Sequence, residues 1–174
     1  MATVLLVIDV QRALVDYLPA ERRAAFLATL GPLIDRARAA AIPVVYVRHA
    51  DEELIPGTLG WDVASEIAPR ADEPIVEKRF RDAFRETTLA DVLAGLGADH
   101  VVVCGMQTEF CVDATLREAE RRGYGVTLVA DGHATYDVED AREEQIRAQV
   151  NRVAAGLVRI VPAAELFATA ELRA

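Results

Sequence analysis

The sequence predicts an α/β protein, a three-layer α/β/α sandwich around a mostly parallel, six-stranded, Rossmann-like sheet. Three observations carry that expectation. Short β-branched runs alternate with amphipathic segments along the chain, which is the pattern of repeated βαβ units. Several runs are continuously apolar, as strands are when helices cover both faces of a sheet. Finally, 174 residues, 52% of them hydrophobic, suit one domain with a full core, expected to span residues 1–174.

Strands are expected at Val4–Ile8, Pro43–Val47, Pro74–Glu77, His100–Cys104, Val126–Ala130 and Val158–Val161. Between the first two, Phe26, Leu30, Leu33, Ile34 and Ala37 share one helical face. Gly31-Pro32 should kink or break that helix, because Pro32 removes a backbone donor. Residues 49–73 hold Pro56, Gly57, Gly60 and Pro69 and form a long loop of the kind that often carries function. Thr88-Leu-Ala-Asp91 has the form of a capping box opening a short helix with Leu89, Val92, Leu93 and Leu96 inward. A further helix should run from about Glu109 to Arg122, with Thr108 as N-cap and Gly123 as its stop. The last helix carries Ile146, Val150, Val153 and Leu157 at helical spacing.

Composition narrows the function classes. Net charge is −9, with no basic cluster, which argues against a nucleic-acid partner. No apolar run approaches the roughly 20 residues that span a bilayer. The N-terminal run lacks a basic leader and ends on an acid, so the expected location is cytoplasmic. Cys104 and Cys111 are too few for a disulfide framework and are not spaced C-x-x-C, so both are expected as free thiols. One oddity stands out. Of the 19 basic residues 18 are Arg, and Lys78 is the only lysine.

In a parallel sheet, ligands bind beyond the carboxyl ends of the strands. Asp9, His49, Lys78, Cys111 and His133 each follow a predicted strand there. Cys111 is expected in the first turn of a helix, where the dipole and free N–H groups favour a thiolate, although a free cysteine is also a common core residue. Asp9, an acid directly after a buried strand, needs a partner or a task. Lys78 would supply the charge. His49 and His133 leave a Cys–His arrangement open. His49-x-Asp51 is only a fragment of a metal site, so no metal is expected. No G-x-G-x-x-G or Walker loop follows a strand, which removes the support for a nucleotide.

These segments together resemble the isochorismatase-like cysteine hydrolases. The resemblance runs through Val7-Ile-Asp9-Val-Gln11, Val45-Tyr-Val-Arg48-His49, Gly57-Thr-Leu-Gly-Trp61, Val76-Glu-Lys78 and Asp82-Ala-Phe84. Its most specific part is Gly105-Met-Gln-Thr-Glu-Phe-Cys111-Val-Asp-Ala-Thr115. The resemblance implies that Asp9, Lys78 and Cys111 form the family's catalytic set, with no cofactor. It further implies an oxyanion hole from the N–H groups of Gln107 and Cys111, after a cis peptide between Met106 and Gln107. Candidate pocket residues are Gln11, Trp61, Phe84 and Phe110. The implied reaction is hydrolysis of a small carboxamide, or of a cyclic amide as in the similar streptothricin-hydrolase-like members, through a thioester. The alternatives are a vinyl-ether hydrolase of the isochorismatase type and a non-catalytic interaction module. The family resemblance also implies a homo-oligomer, a dimer or tetramer.

Overall fold

The computed structural model describes residues 2–168. Six strands form one parallel sheet: β1 (Thr3–Ile8), β2 (Val44–His49), β3 (Ile75–Lys78), β4 (His100–Met106), β5 (Gly125–Ala134) and β6 (Arg159–Val161). Their order across the sheet is β3-β2-β1-β4-β5-β6. The chain therefore builds outward from β1 on one side, returns to β4, and builds outward on the other. The crevice at that reversal, between β1 and β4, is where such sheets bind ligands.

Strand alternation sorts the core into two layers. Leu5, Val7, Val44, Tyr46, Val102 and Cys104 point to one face, against Phe26, Leu30, Leu33 and Ile34 of a helix at Ala20–Ala39. Val4, Leu6, Ile8, Val45, Val47, Val101 and Val103 point to the other. There they meet Leu89 and Leu93 of a helix at Leu89–Gly95, and Leu116 and Ala119 of one at Asp113–Arg121. With a short helix at Arg12–Asp16, these are α1 (Arg12–Asp16), α2 (Ala20–Ala39), α3 (Leu89–Gly95) and α4 (Asp113–Arg121); α5 covers Glu143–Ala154.

Local expectations fail in five places, each for a physical reason. α2 runs unbroken through Pro32. The residue before a proline is restricted chiefly by its own Cβ, and Gly31 has none, while Leu30, Leu33 and Ile34 anchor both flanks in the core. Thr88 makes no side-chain cap to α3; its φ of −87° and ψ of 5° lie outside the extended region a capping hydroxyl needs. Thr87 caps instead, its Oγ1 accepting the Leu89 N–H at 3.2 Å. The helix expected from Glu109 starts as a π-helical turn, Thr108–Val112, and becomes α-helical only at Asp113. Thr108 is buried inside that turn rather than capping it. Val153 is exposed, and Leu157, also exposed, lies beyond the end of α5, which packs Val150 and Ala154 into the core layer. β5 continues past Ala130 to Ala134 because, after a bulge in register, Gly105 pairs with His133 and Met106 with Ala134.

At the crevice the backbone is unusually close-set. Ile8 pairs with Gly105, and a Cβ added to Gly105 would lie 2.0 Å from the Ile8 carbonyl oxygen. Gly105 also has a φ of +126°, which side chains with a Cβ rarely adopt. A Gly105→Ala variant should therefore lose about 3–5 kcal/mol of stability in urea unfolding. A midpoint within experimental error of the wild type would contradict this close approach.

Candidate functional site

The carboxyl ends of neighbouring strands bring ionisable side chains together at and beside the crevice. Asp9 follows β1, His49 closes β2 and Lys78 closes β3. His49 and Lys78 are register partners, so their side chains leave the sheet on the same side. Cys111 arrives from beyond β4, carried by the π-helical turn. The Gln107 carbonyl accepts the N–H of Phe110 at 3.1 Å and that of Val112 at 3.2 Å, skipping Cys111 between them. The Met106–Gln107 peptide bond is cis.

Lys78 is the hub. Its ammonium, fully buried, lies 2.7 Å from Asp9 Oδ2. It is also 3.1 Å from His49 Nδ1, 3.1 Å from the Phe80 carbonyl oxygen and 3.2 Å from Cys111 Sγ. The other Asp9 oxygen, Oδ1, is buried and has no hydrogen-bond partner among the described residues. Asp9, His49 and Cys111 offer an oxygen, a nitrogen and a sulfur within 4.8 Å of one another. The ammonium touches all three residues, so a metal ion among them would sit against a fixed positive charge. The donor set does not fit a metal.

Burial dominates the electrostatics. It raises the Asp9 carboxyl above the ordinary carboxylate range, against the pull of Lys78. Burial, aided by the Asp9 charge, pushes the Cys111 thiol up to about 12, and Lys78 offsets this only in part. Cys111 lies inside the π-helical turn that precedes α4 rather than in the first turn of an α-helix as expected from sequence. Burial and the neighbouring ammonium lower His49, which is therefore neutral at pH 7. Its Nδ1, facing an ammonium, must be the acceptor. The ring proton then sits on Nε2, which faces Asp51 Oδ2 at 3.2 Å.

A cavity of about 460 Å³ opens above these groups, lined by Leu14, Tyr17, Leu54, Arg81 and Phe110 with Asp9, His49, Gln107 and Cys111. Of the expected pocket residues only Phe110 is on this wall, and the Arg81 guanidinium stacks 4.3 Å over its ring. Phe84 faces away, in the core layer beneath α3 and α4, with its ring 6.0 Å from that of Tyr124. Gln11 and Trp61 lie behind the wall and brace it. Gln11 Nε2 donates to the carbonyls of His49 and Trp61, Gln11 Oε1 accepts the His49 N–H, and Trp61 Nε1 donates to the His49 carbonyl. His133 is remote from Cys111 chemistry, tied between Thr108 Oγ1 and Asn151 Oδ1. Cys104 is buried in the sheet. Arg81, Leu14 and Tyr17 carry no motif, and only the fold brings them to the cavity.

Comparison with known proteins gives concordant results. A family model described as Isochorismatase domain matches residues 3–157. Two streptothricin hydrolases of Streptomyces noursei are 39% identical over 143 residues and 38% identical over 144, each match covering 79% of this chain. Those matches cover 56% and 51% of the relatives, so the chain spans about half the length of the curated relatives it matches. Among solved structures, an isochorismatase from Pseudomonas putida is similar with a TM-score of 0.86 at 29% identity, over 95% of this chain and 90% of that one.

The elevated Cys111 thiol has a measurable consequence. Because its pKa is raised, the thiolate fraction grows about tenfold per pH unit throughout the range below it. Iodoacetamide labelling of Cys111, followed by mass spectrometry, should rise steadily from pH 7 to pH 10 without levelling off. A plateau beginning below pH 8 would show a standing thiolate and overturn this assignment.

Proposed function

The chain belongs to the isochorismatase domain family, and from that premise we propose that it is a cysteine-dependent hydrolase of a small carboxamide or cyclic amide. The observation that carries this reading is the meeting of Asp9, Lys78 and Cys111 around one ammonium at the floor of a cavity. The amide class is supported by the retained cysteine and by the similarity to the two streptothricin hydrolases.

The chemistry follows from the geometry. Asp9, when ionised, accepts the Cys111 thiol proton; among the described residues its buried Oδ1 has no other hydrogen-bond partner. The sulfur attacks the amide carbon, and the negative charge that moves to the carbonyl oxygen is received by the N–H groups of Gln107 and Cys111. Collapse of the tetrahedral adduct breaks the C–N bond. Asp9 returns its proton to the departing nitrogen, leaving a thioester. Asp9 then takes a proton from water, whose oxygen attacks the thioester carbon, and Cys111 leaves with that proton restored. Lys78 keeps its protons throughout and balances whichever of its neighbours carries the negative charge.

A screen of small amides and lactams, read by ammonia or amine release or by an 18 Da mass gain for ring opening, tests the proposal directly. Cys111→Ala should lower turnover of any active compound by about 10³-fold or more. Unchanged turnover in that variant would remove the nucleophile from Cys111. Lys78→Arg should lose at least about 100-fold, because the planar guanidinium cannot occupy the compact buried position of the ammonium.

A pH profile gives an independent check. Asp9 must be ionised to act as base, and its pKa is raised by burial, so its charge is lost at a higher pH than for a free carboxyl. The acid limb of kcat/KM should therefore lie above the ordinary carboxylate value of about 3.9. An acid limb at or below that value would exclude Asp9 as the base.

A further inference from the structure

The surroundings of Lys78 contain one acceptor too many. An ammonium has three N–H groups. Four acceptors lie within reach: Asp9 Oδ2, His49 Nδ1, the Phe80 carbonyl and Cys111 Sγ. At any moment one of them goes without. The backbone carbonyl cannot change its charge or turn away from a lysine two residues before it. His49 is nearly as fixed, since its backbone N–H and C=O are both clamped by Gln11, with Trp61 adding a bond to the carbonyl. Its tautomer is held by Asp51, whose Oδ1 is in turn pinned by the N–H groups of Glu53 and Leu54.

We infer that His49 is a positioning residue, which with the Phe80 carbonyl holds two Lys78 N–H groups so that a single N–H alternates between Asp9 and Cys111. This rests on the proposed reaction for its purpose, but its physical content is independent of any substrate. With Cys111 a thiol and Asp9 a carboxylate, the alternating N–H belongs to Asp9. When the proton passes from sulfur to Asp9, the carboxyl becomes neutral and the same N–H turns to the new thiolate. One proton transfer and one rotation of an N–H then occur together. No proton leaves the ammonium.

Removing the His49 acceptor reverses the shortage. Three acceptors would then face three N–H groups, and Lys78 could serve Asp9 and Cys111 at once. The thiolate would be stabilised at rest. A role in packing alone predicts the opposite, because an apolar side chain at position 49 makes the surroundings of the sulfur drier and raises the thiol further. The charged groups around Cys111 are otherwise unaltered: Asp9 from β1, Lys78 from β3, Asp51 and Glu53 after β2, and Arg81 after β3.

The experiment is the pH dependence of iodoacetamide labelling at Cys111 in full-length His49→Leu and His49→Asn. The leucine variant should move the labelling curve about one pH unit down and label about tenfold faster at pH 8. The asparagine variant, whose Oδ1 can take the place of Nδ1, should label like the wild type. Unchanged or slower labelling in His49→Leu overturns the inference, as does an asparagine variant that behaves like the leucine one. Labelling of Cys104 alongside Cys111 would mean the gain came from a loosened core, and this too counts against it. Turnover is not the readout, so failure of every amide to react would sink the proposed reaction and leave this result intact.

Discussion

A buried ammonium is the constraint on which this structure turns. Taking a lysine out of water costs several kcal/mol, and the cost is offset only when the surrounding acceptors are correctly placed. Here those acceptors come from different strands. Asp9 follows β1, His49 closes β2 and Cys111 lies beyond β4, while Lys78 itself ends β3. A one-residue slip of β3 against β2 would swing Lys78 to the other face and leave Asp9 unpaired in the interior. The ion pair therefore does little to make the protein more stable than an apolar substitute would, but it penalises any register except the observed one.

The same requirement bears on the backbone at the crevice. Asp9 is a non-glycine residue with a φ of 50°, and it stands next to the Ile8–Gly105 contact. Both features lie at the crevice between β1 and β4, where the sheet reverses its order. Strain of this kind persists only where the surroundings determine it. The surroundings are plain: Ile8 is locked between β2 and β4, and the Asp9 N–H is bound to the Val47 carbonyl at 2.9 Å. The turn at Asp9 is what directs its carboxylate at Lys78 instead of along the strand.

Much of this was legible in the sequence. The apolar runs gave the six strands to within a few residues, because strands buried on both faces have little freedom in composition. The lone lysine in an otherwise all-arginine chain was visible as an oddity, but composition alone left it open as an accident, and its buried place beside Asp9 and Cys111 came only with the fold. What could not be read is what depends on three-dimensional closeness. Phe84 and Phe110 are equally aromatic, yet one is core and the other cavity wall, and only the path of the chain after β3 and β4 decides which. The π-helical turn has no compositional signature; it follows from the way Gln107 shares its carbonyl between Phe110 and Val112. Gln11 looks like a ligand-binding amide and is instead a clamp on the His49 backbone, since both its polar ends are satisfied there. His49 was visible as a histidine at a strand end, but its bond to Lys78 depends on the pairing of β2 with β3.

The resting electrostatics set limits on how such a site can work. A cysteine next to a lysine suggests a thiolate waiting for substrate, yet burial holds the thiol protonated and raises the adjacent carboxyl as well. Both groups are penalised for charge, so the single negative charge between them costs less to move than to create. Lysine serves that purpose better than arginine. A guanidinium would fix its donors in one plane and favour one partner, whereas an ammonium can hold two acceptors and still turn a third N–H from one anion to the next. In the proposed reaction, a lone lysine in an arginine-rich chain suits a site that calls for a cation able to redistribute its hydrogen bonds.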